Sequence, residues 1–186
     1  EYHSSRFDDF SLTFWENNRL VAAMPANKVG NEVYSHQGLS YGGFMLQKEI
    51  KLIKVIEVLH QALRFLTEQK VTDLILKAFP RIYNSVPADE LDWALTQCNA
   101  DLYRRDSTLA IDSGNRLKYQ SRRTRSIKAA RKLHPRICFG NDVSELAVFW
   151  EDVLTPNLVA RHGVKPVHSI NEISRLIDIF PHHIRH

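Results

Sequence analysis

The sequence predicts an α+β fold, a mixed sheet flanked by helices, and three observations carry that prediction. Short alternating apolar runs fill the first fifty residues. An amphipathic helical period follows them, and then a short buried-strand pattern and a second helix. Strands that alternate with helices in this order pack as helices on a sheet.

In "SLTFWENNRLVAAMPANKV" two runs flank Asn17-Asn18, a pair that tolerates positive φ and marks a tight hairpin turn. "NEVYSHQGL" follows Gly30-Asn31, so residues 11–39 read as an antiparallel meander. Ile50, Ile53, Val55, Ile56, Leu59, Leu63 and Leu66 recur at three- and four-residue steps, which predicts a one-sided helix from about Lys48 packed on the sheet. "VTDLILKAFP" reads as a buried strand ended by Pro80. Pro87 then opens a helix with acids in its first turn, where they favour the macrodipole. "DLYRRDSTLAID", residues 101–112, reads as a further strand.

Beyond this point the composition shifts. Between Gly114 and Gly140 there is no acidic residue, while Arg116, Lys118, Arg122, Arg123, Arg125, Lys128, Arg131, Lys132 and Arg136 supply nine of the chain's 25 basic side chains. Ile127, Ala130 and Leu133 give the helix expected here only a thin apolar stripe. A short strand over 136–139 follows, then a helix capped by Asp142 or Ser144 that Gly163 stops, and a last helix from Ser169 with the capping pattern "SINE". The predicted division is 1–113 and 114–186.

With 44% apolar and 25% charged residues the composition is that of an ordinary globular protein, and no run approaches the roughly 18 apolar residues of a membrane helix. Neither a secretory signal nor a membrane span is expected, and a cytoplasmic setting is. Cys98 and Cys138, without CxxC spacing, read as buried reduced thiols rather than a disulfide or zinc site. The absence of an initiator Met and the abrupt end at "FPHHIRH" read as an excised piece of a longer polypeptide.

Three stretches hold residues that could act on a ligand. The basic helix creates a positive field suited to a diphosphate or carboxylate, or else is a solvated face whose charges pair elsewhere. DNA is not expected as a partner, because the net charge is only +4 and Tyr119 alone is at hand for stacking. "RHGVKPVH" sets His162 and His168 as ligands, proton carriers or backbone-bonded caps, with Lys165 held extended by Pro166. In "YSHQGLSYGGFMLQ", Gly42-Gly43 either cradles a ligand or lets two backbones pass closely. No Walker A loop, Rossmann glycine triad, G-x-S-x-G elbow or H-E-x-x-H is present.

The motifs "SRFDDFSL", "SHQGLSYGGFML", "LKAFPRIYNSVPADE", "RRTRSIKAARK" and "RHGVKPVHSINEI", in this order, resemble the GNAT-superfamily acyltransferases of the Fem peptidoglycan peptidyltransferase type. The resemblance implies two tandem GNAT-like domains, of which this chain holds the first and the start of the second. It also implies transfer of an acyl or aminoacyl group onto an amine of a sugar or cell-envelope precursor. The donor would be acyl-coenzyme A or aminoacyl-tRNA, bound by the missing C-terminal GNAT-like half, because the R/Q-x-x-G-x-G/A loop that holds a donor pyrophosphate is absent from residues 1–186. No cofactor is therefore expected in this piece. An anionic acceptor such as a nucleotide-sugar would meet Arg122, Arg123, Lys165 and His168, with His36 and Tyr41 lining the cleft and Gly42-Gly43 bending the strand beside it. The competing reading is a non-catalytic basic module that binds nucleic acid or anionic lipid through residues 116–136.

Overall fold

The first two-thirds of the chain is organised by one long hairpin. Its outer arm is β1 (Asp8–Asp9) followed by β2 (Leu12–Glu16), and its return arm is β3 (Arg19–Met24) followed by β4 (Asn27–Val29). Asn17 and Asn18 turn it with φ of 48° and 61°, both positive as a type I′ turn requires. The computed structural model describes residues 6–135 and 142–184. Contacts divide the chain into two units, Glu1–Asp112 and Ser113–His186.

β1 on β4 and β2 on β3 share one register, so they are one ladder interrupted where Pro25 faces Ser11. Proline has no N–H to give a ladder. At the break the Ala26 N–H turns to Ser11 Oγ at 3.2 Å, and Phe10 N–H resumes the pairing on the Ala26 carbonyl at 2.9 Å. A bulge at Val21, between the Trp15–Leu20 and Phe14–Ala22 pairs, frees a carbonyl that accepts from Gln47 N–H at 3.0 Å.

The third run does pair antiparallel, but only as β5 (Glu32–Tyr34) on β4. β6 (Met45–Leu46) then pairs with β3 on the same edge, with the register advanced by seven residues. The predicted meander to residue 39 is thus corrected: the strand stops at Tyr34, a loop leaves the sheet, and the strand resumes at β6. α1 (Leu52–Glu68) crosses over to β7 (Asp73–Ile75), which lies parallel to β5.

α1 begins four residues later than the periodicity predicts. It buries Val55, Val58, Leu59, Ala62 and Leu66, a stripe at three- and four-residue steps, whereas Ile53 and Leu63 of the predicted face are exposed. All of that stripe except Val55 joins Met24, Ala26, Val33 and Phe44 in one core. Ala94 of α2 (Glu90–Gln97) reaches the same core, and Glu90 and Asp92 supply the expected acids of the first turn. Pro87 lies three residues ahead of this helix rather than at its start. Cys98, expected to be buried, caps the exposed end of α2 and is itself exposed. Cys138 lies outside the described residues.

The strand predicted for 101–112 does not form. Leu109 is 97% and Ile111 81% exposed, and no ladder includes the segment. Apolar, β-favouring residues make a strand only where an edge offers hydrogen bonds and a face offers burial.

In the second unit, α3 (Ser121–Arg131) is the basic helix. The strand expected over 136–139 and Arg136 fall outside the described residues. Asp142, not Ser144, caps α4 (Val143–Val148) by accepting from the Ser144 N–H. A π-helical stretch, Phe149–Leu154, joins α4 to α5 (Thr155–His162), with Pro156 in the first turn of α5. Pro156 has no N–H, so it makes no bond to the carbonyl four residues back, at the first turn of α5 where such a donor is least needed. Gly163, at φ 66°, stops α5. α6 (Ile170–Ile179) opens on a complete capping box between Ser169 and Glu172. Among the described residues this unit buries only Leu146 and Ile177 of its large apolar side chains.

Gly42 answers the question raised by the glycine pair. Its N–H donates to the Lys77 carbonyl at 2.7 Å, and a Cβ there would stand 2.0 Å from the Ser35 carbonyl oxygen. Gly43, by contrast, has room for a Cβ and is required for its φ of 101°. The pair therefore permits close backbone passage. Overpacking of this kind costs about 1–3 kcal/mol, so Gly42→Ala is expected to lower unfolding stability by about 2 kcal/mol or more in urea titration. Gly30→Asn, at an open turn position of φ 59°, is expected to stay within about 0.5 kcal/mol.

Candidate functional site

Residues 35–41 form an insertion in the third strand, and side chains from three directions hold it. Buried Ser35 accepts the Lys77 N–H on its Oγ at 2.7 Å while its own N–H reaches the Ile75 carbonyl at 2.9 Å. Buried Asn27 accepts Gln37 N–H at 2.7 Å and donates to Gln37 Oε1 at 3.0 Å. Lys77 Nζ donates to the carbonyls of Leu39, His36 and Gln37 at 2.9, 3.3 and 3.4 Å. Burial, with Arg104 nearby as a lesser cause, lowers the Lys77 pKa. Three carbonyl acceptors nonetheless match the three donors of an ammonium.

A cleft of about 450 Å³ opens beside this insertion, within the first unit. It is lined by Gly42 and most of residues 44–50, a segment that includes β6, and by most of residues 78–92, which follow β7. The first of these segments pairs through β6 with β3, and the second leaves β7, the strand parallel to β5. Phe44, Leu46, Phe79 and Leu91 give the cleft apolar surface, and Gln47, Lys48, Arg81, Tyr83, Asn84, Ser85, Glu90 and Asp92 give it nearly as much polar surface. Arg81 is paired with Asp89 at 2.8 Å and with Asp92 at 3.6 Å. Glu90 lines the cleft outside those ion pairs. Tyr83, in the 3-10 turn Arg81–Tyr83, is exposed on the wall, and its ring lies 5.7 Å from that of Tyr41.

The six residues expected at the site divide between the two units. His36 and Tyr41 share the insertion in the first, but neither lines the cleft, and Tyr41 meets it only through Tyr83. His36 has φ 63° and packs edge-on against Phe7 at 5.3 Å, and its Nδ1 accepts the Gly38 N–H at 3.2 Å. Arg122 and Arg123 are exposed on α3, Lys165 is exposed in the loop between α5 and α6, and His168 is half-buried just before the Ser169 cap. Arg81, Tyr83 and Glu90 are cleft residues inside the stretch "LKAFPRIYNSVPADE" to which the residue pattern assigns no role. The prolines Pro80 and Pro87 bracket the wall segment that holds Arg81 and Tyr83, and Glu90 follows them at the start of α2.

All eight described cations from Arg116 to Lys132 are exposed, and among the described residues none of them forms an ion pair. Charge is also segregated. Residues 113–186 hold thirteen basic against six acidic side chains, a formal +7, and residues 1–112 are at −3, so the chain's +4 hides the division.

Compared with protein-family models, with curated proteins and with solved structures, the chain gives no significant match in any of the three. Among the described residues no His, Cys, Asp and Glu cluster is arranged to hold a metal ion, and no helix is long and apolar enough to cross a membrane.

His36 makes the insertion sensitive to pH. Burial lowers its pKa below the ordinary 6.5, Lys77 adds to this, and Asp9 opposes it. Folding therefore favours the neutral ring. The stabilisation is complete above pH 6.5 and is lost as pH falls through the lower folded value. Asn accepts positive φ, so the stability cost of His36→Asn is expected to shrink between about pH 7.5 and about pH 5.5 in paired urea titrations. A cost independent of pH would contradict the neutral ring.

Proposed function

We propose that this chain is the acceptor-side part of an acyltransferase similar to the Fem-like enzymes, which moves an acyl or aminoacyl group onto the amine of a sugar or cell-envelope precursor. The observation that carries this reading is the cleft between the β6 segment and the chain that follows β7, with the Tyr83 ring on its wall and one lining carboxylate, Glu90, outside the ion pairs of the described residues. An amine acceptor is an ammonium ion in water and must lose a proton before it attacks. Glu90 suits both steps, since it attracts the ammonium and accepts its proton. The freed nitrogen then forms a bond to the activated carbonyl carbon, and the thiolate or ester oxygen of the donor departs with the second amine proton. Positioning and oxyanion stabilisation supply most of such a rate. Tyr83 offers a face on which a nucleotide base of the acceptor can stack. The donor, acyl-coenzyme A or aminoacyl-tRNA, belongs on the resemblance to a second GNAT-like half outside residues 1–186.

Titration calorimetry with a uridine-diphosphate amino sugar and with its N-acetylated counterpart tests the reading. Tyr83→Ala is expected to weaken both about tenfold, the usual scale of one stacked base. Glu90→Gln is expected to weaken only the free amine, by about fivefold to tenfold. No saturable binding, or an equal effect of Glu90→Gln on both sugars, would remove the cleft as the acceptor site. Acetylation of the amine by residues 1–186 with acetyl-coenzyme A, at the rate of a longer protein, would contradict the placing of the donor.

A further inference from the structure

α3 is a helix that its own charges oppose. Arg122, Arg125, Lys128 and Arg131 succeed one another at three-residue steps, where like charges on a helix repel. No acidic residue anywhere from Gly114 to Gly140 relieves them. The first turn carries Arg122 and Arg123 and no acid, against the macrodipole, and the Gln120 side chain makes no capping hydrogen bond. The helix buries no residue, and only Thr124 and Ile127 are even half-buried. Among the described residues neither buried packing nor side-chain ion pairing therefore accounts for a helix here, and an external anion would supply what both omit.

The distribution of charge selects among anions. At about 100° per residue, Arg122, Arg123, Arg125, Lys128 and Arg131 are spread around most of the helix circumference. A helix lying on a lipid surface needs a broad apolar face opposite its cations, and α3 has only the thin stripe of Ile127 and Ala130. A single diphosphate reaches two or three cations on one flank. A nucleic-acid groove presents phosphates on several sides of a helix at once, and arginine-rich segments gain order in such a setting. With Tyr119 the one aromatic residue between Gly114 and Arg136, the contact is to backbone phosphates rather than to bases.

We propose that residues 116–132 form a docking segment for the phosphodiester backbone of a nucleic-acid duplex, and that α3 is stabilised by that docking. The +7 of residues 113–186, not the +4 of the whole chain, is the charge that such a partner meets. The proposal stands apart from the acyl-transfer reading, because it uses no residue of the cleft.

The experiment measures binding of the full chain to a duplex of about 20 base pairs of RNA and to the DNA duplex of the same sequence, by fluorescence anisotropy over a range of salt. Hydrogen exchange of residues 116–132 is followed with and without the duplex. A log–log salt slope of about −4 or steeper is expected, with exchange in α3 slowed at least tenfold. The two arms show whether RNA or DNA is the better source of the backbone. The triple variant Arg122→Gln, Arg125→Gln, Lys128→Gln removes repulsion with residues of similar helix propensity. It is expected to slow exchange in the free protein while it weakens duplex binding at least tenfold, two effects of opposite sign that a merely structural helix would not show. A slope shallower than about −2, duplex affinity unchanged in the variant, or binding confined to phosphatidylserine vesicles or to uridine diphosphate would overturn the proposal. Each of these leaves the Tyr83 and Glu90 results untouched, so the two readings fail separately.

Discussion

The first unit depends on one close backbone passage, that of Gly42 between Ser35 and Lys77. A strand that has released seven residues must return to its own edge, and it can do so only if both ends of the insertion are fixed to the neighbouring strand. Ser35 fixes the outgoing end through its N–H and Oγ, and Gly42 fixes the return through the Lys77 carbonyl. The space between Gly42 and the Ser35 carbonyl admits no side chain at all. Because the same residues put Phe44 into the core and Met45 onto β3, the closure also sets one wall of the cleft.

Lys77 shows how that constraint reaches the candidate site. Its backbone serves the closure, and its ammonium gathers the carbonyls of residues 36, 37 and 39, which would otherwise face away from any ladder. Two residues further on, the chain enters the Phe79 to Asp92 wall of the cleft. A single β7 extension thus joins the order of the insertion to the position of Tyr83, and the Tyr41 and Tyr83 rings meet across the two.

What the sequence made legible was local. The Asn17-Asn18 turn, the Gly163 stop and the Ser169 capping box each depend on residues within four positions, and all three stand where local chemistry puts them. Predictions that required a partner fared differently. Residues 101–112 have strand composition but no ladder, Ile53 has the right period but the wrong side of the buried stripe, and Cys98 ended on the exposed side of a helix terminus. Gly42 left both of its meanings open until the Ser35 carbonyl was placed beside it. The cleft residues Arg81, Tyr83 and Glu90 all lie in the stretch "LKAFPRIYNSVPADE", but nothing in the sequence assigned them a role, and the opposite wall at residues 42–50 is brought beside them only by the crossover of α1. The charge division was available in the sequence, yet a single net value concealed it.

The acyl-transfer reading and the nucleic-acid reading rest on different units, but the first rests on the closure at Gly42. Native-state hydrogen exchange of the Gly42 amide tests that closure most directly. If the passage organises the unit, the Gly42 N–H exchanges only with global unfolding, at the same opening free energy as the Val58 and Leu59 amides of α1. Exchange through a local opening, faster than those amides and insensitive to denaturant, would show that the insertion and the cleft wall move independently of the core, and would contradict the account.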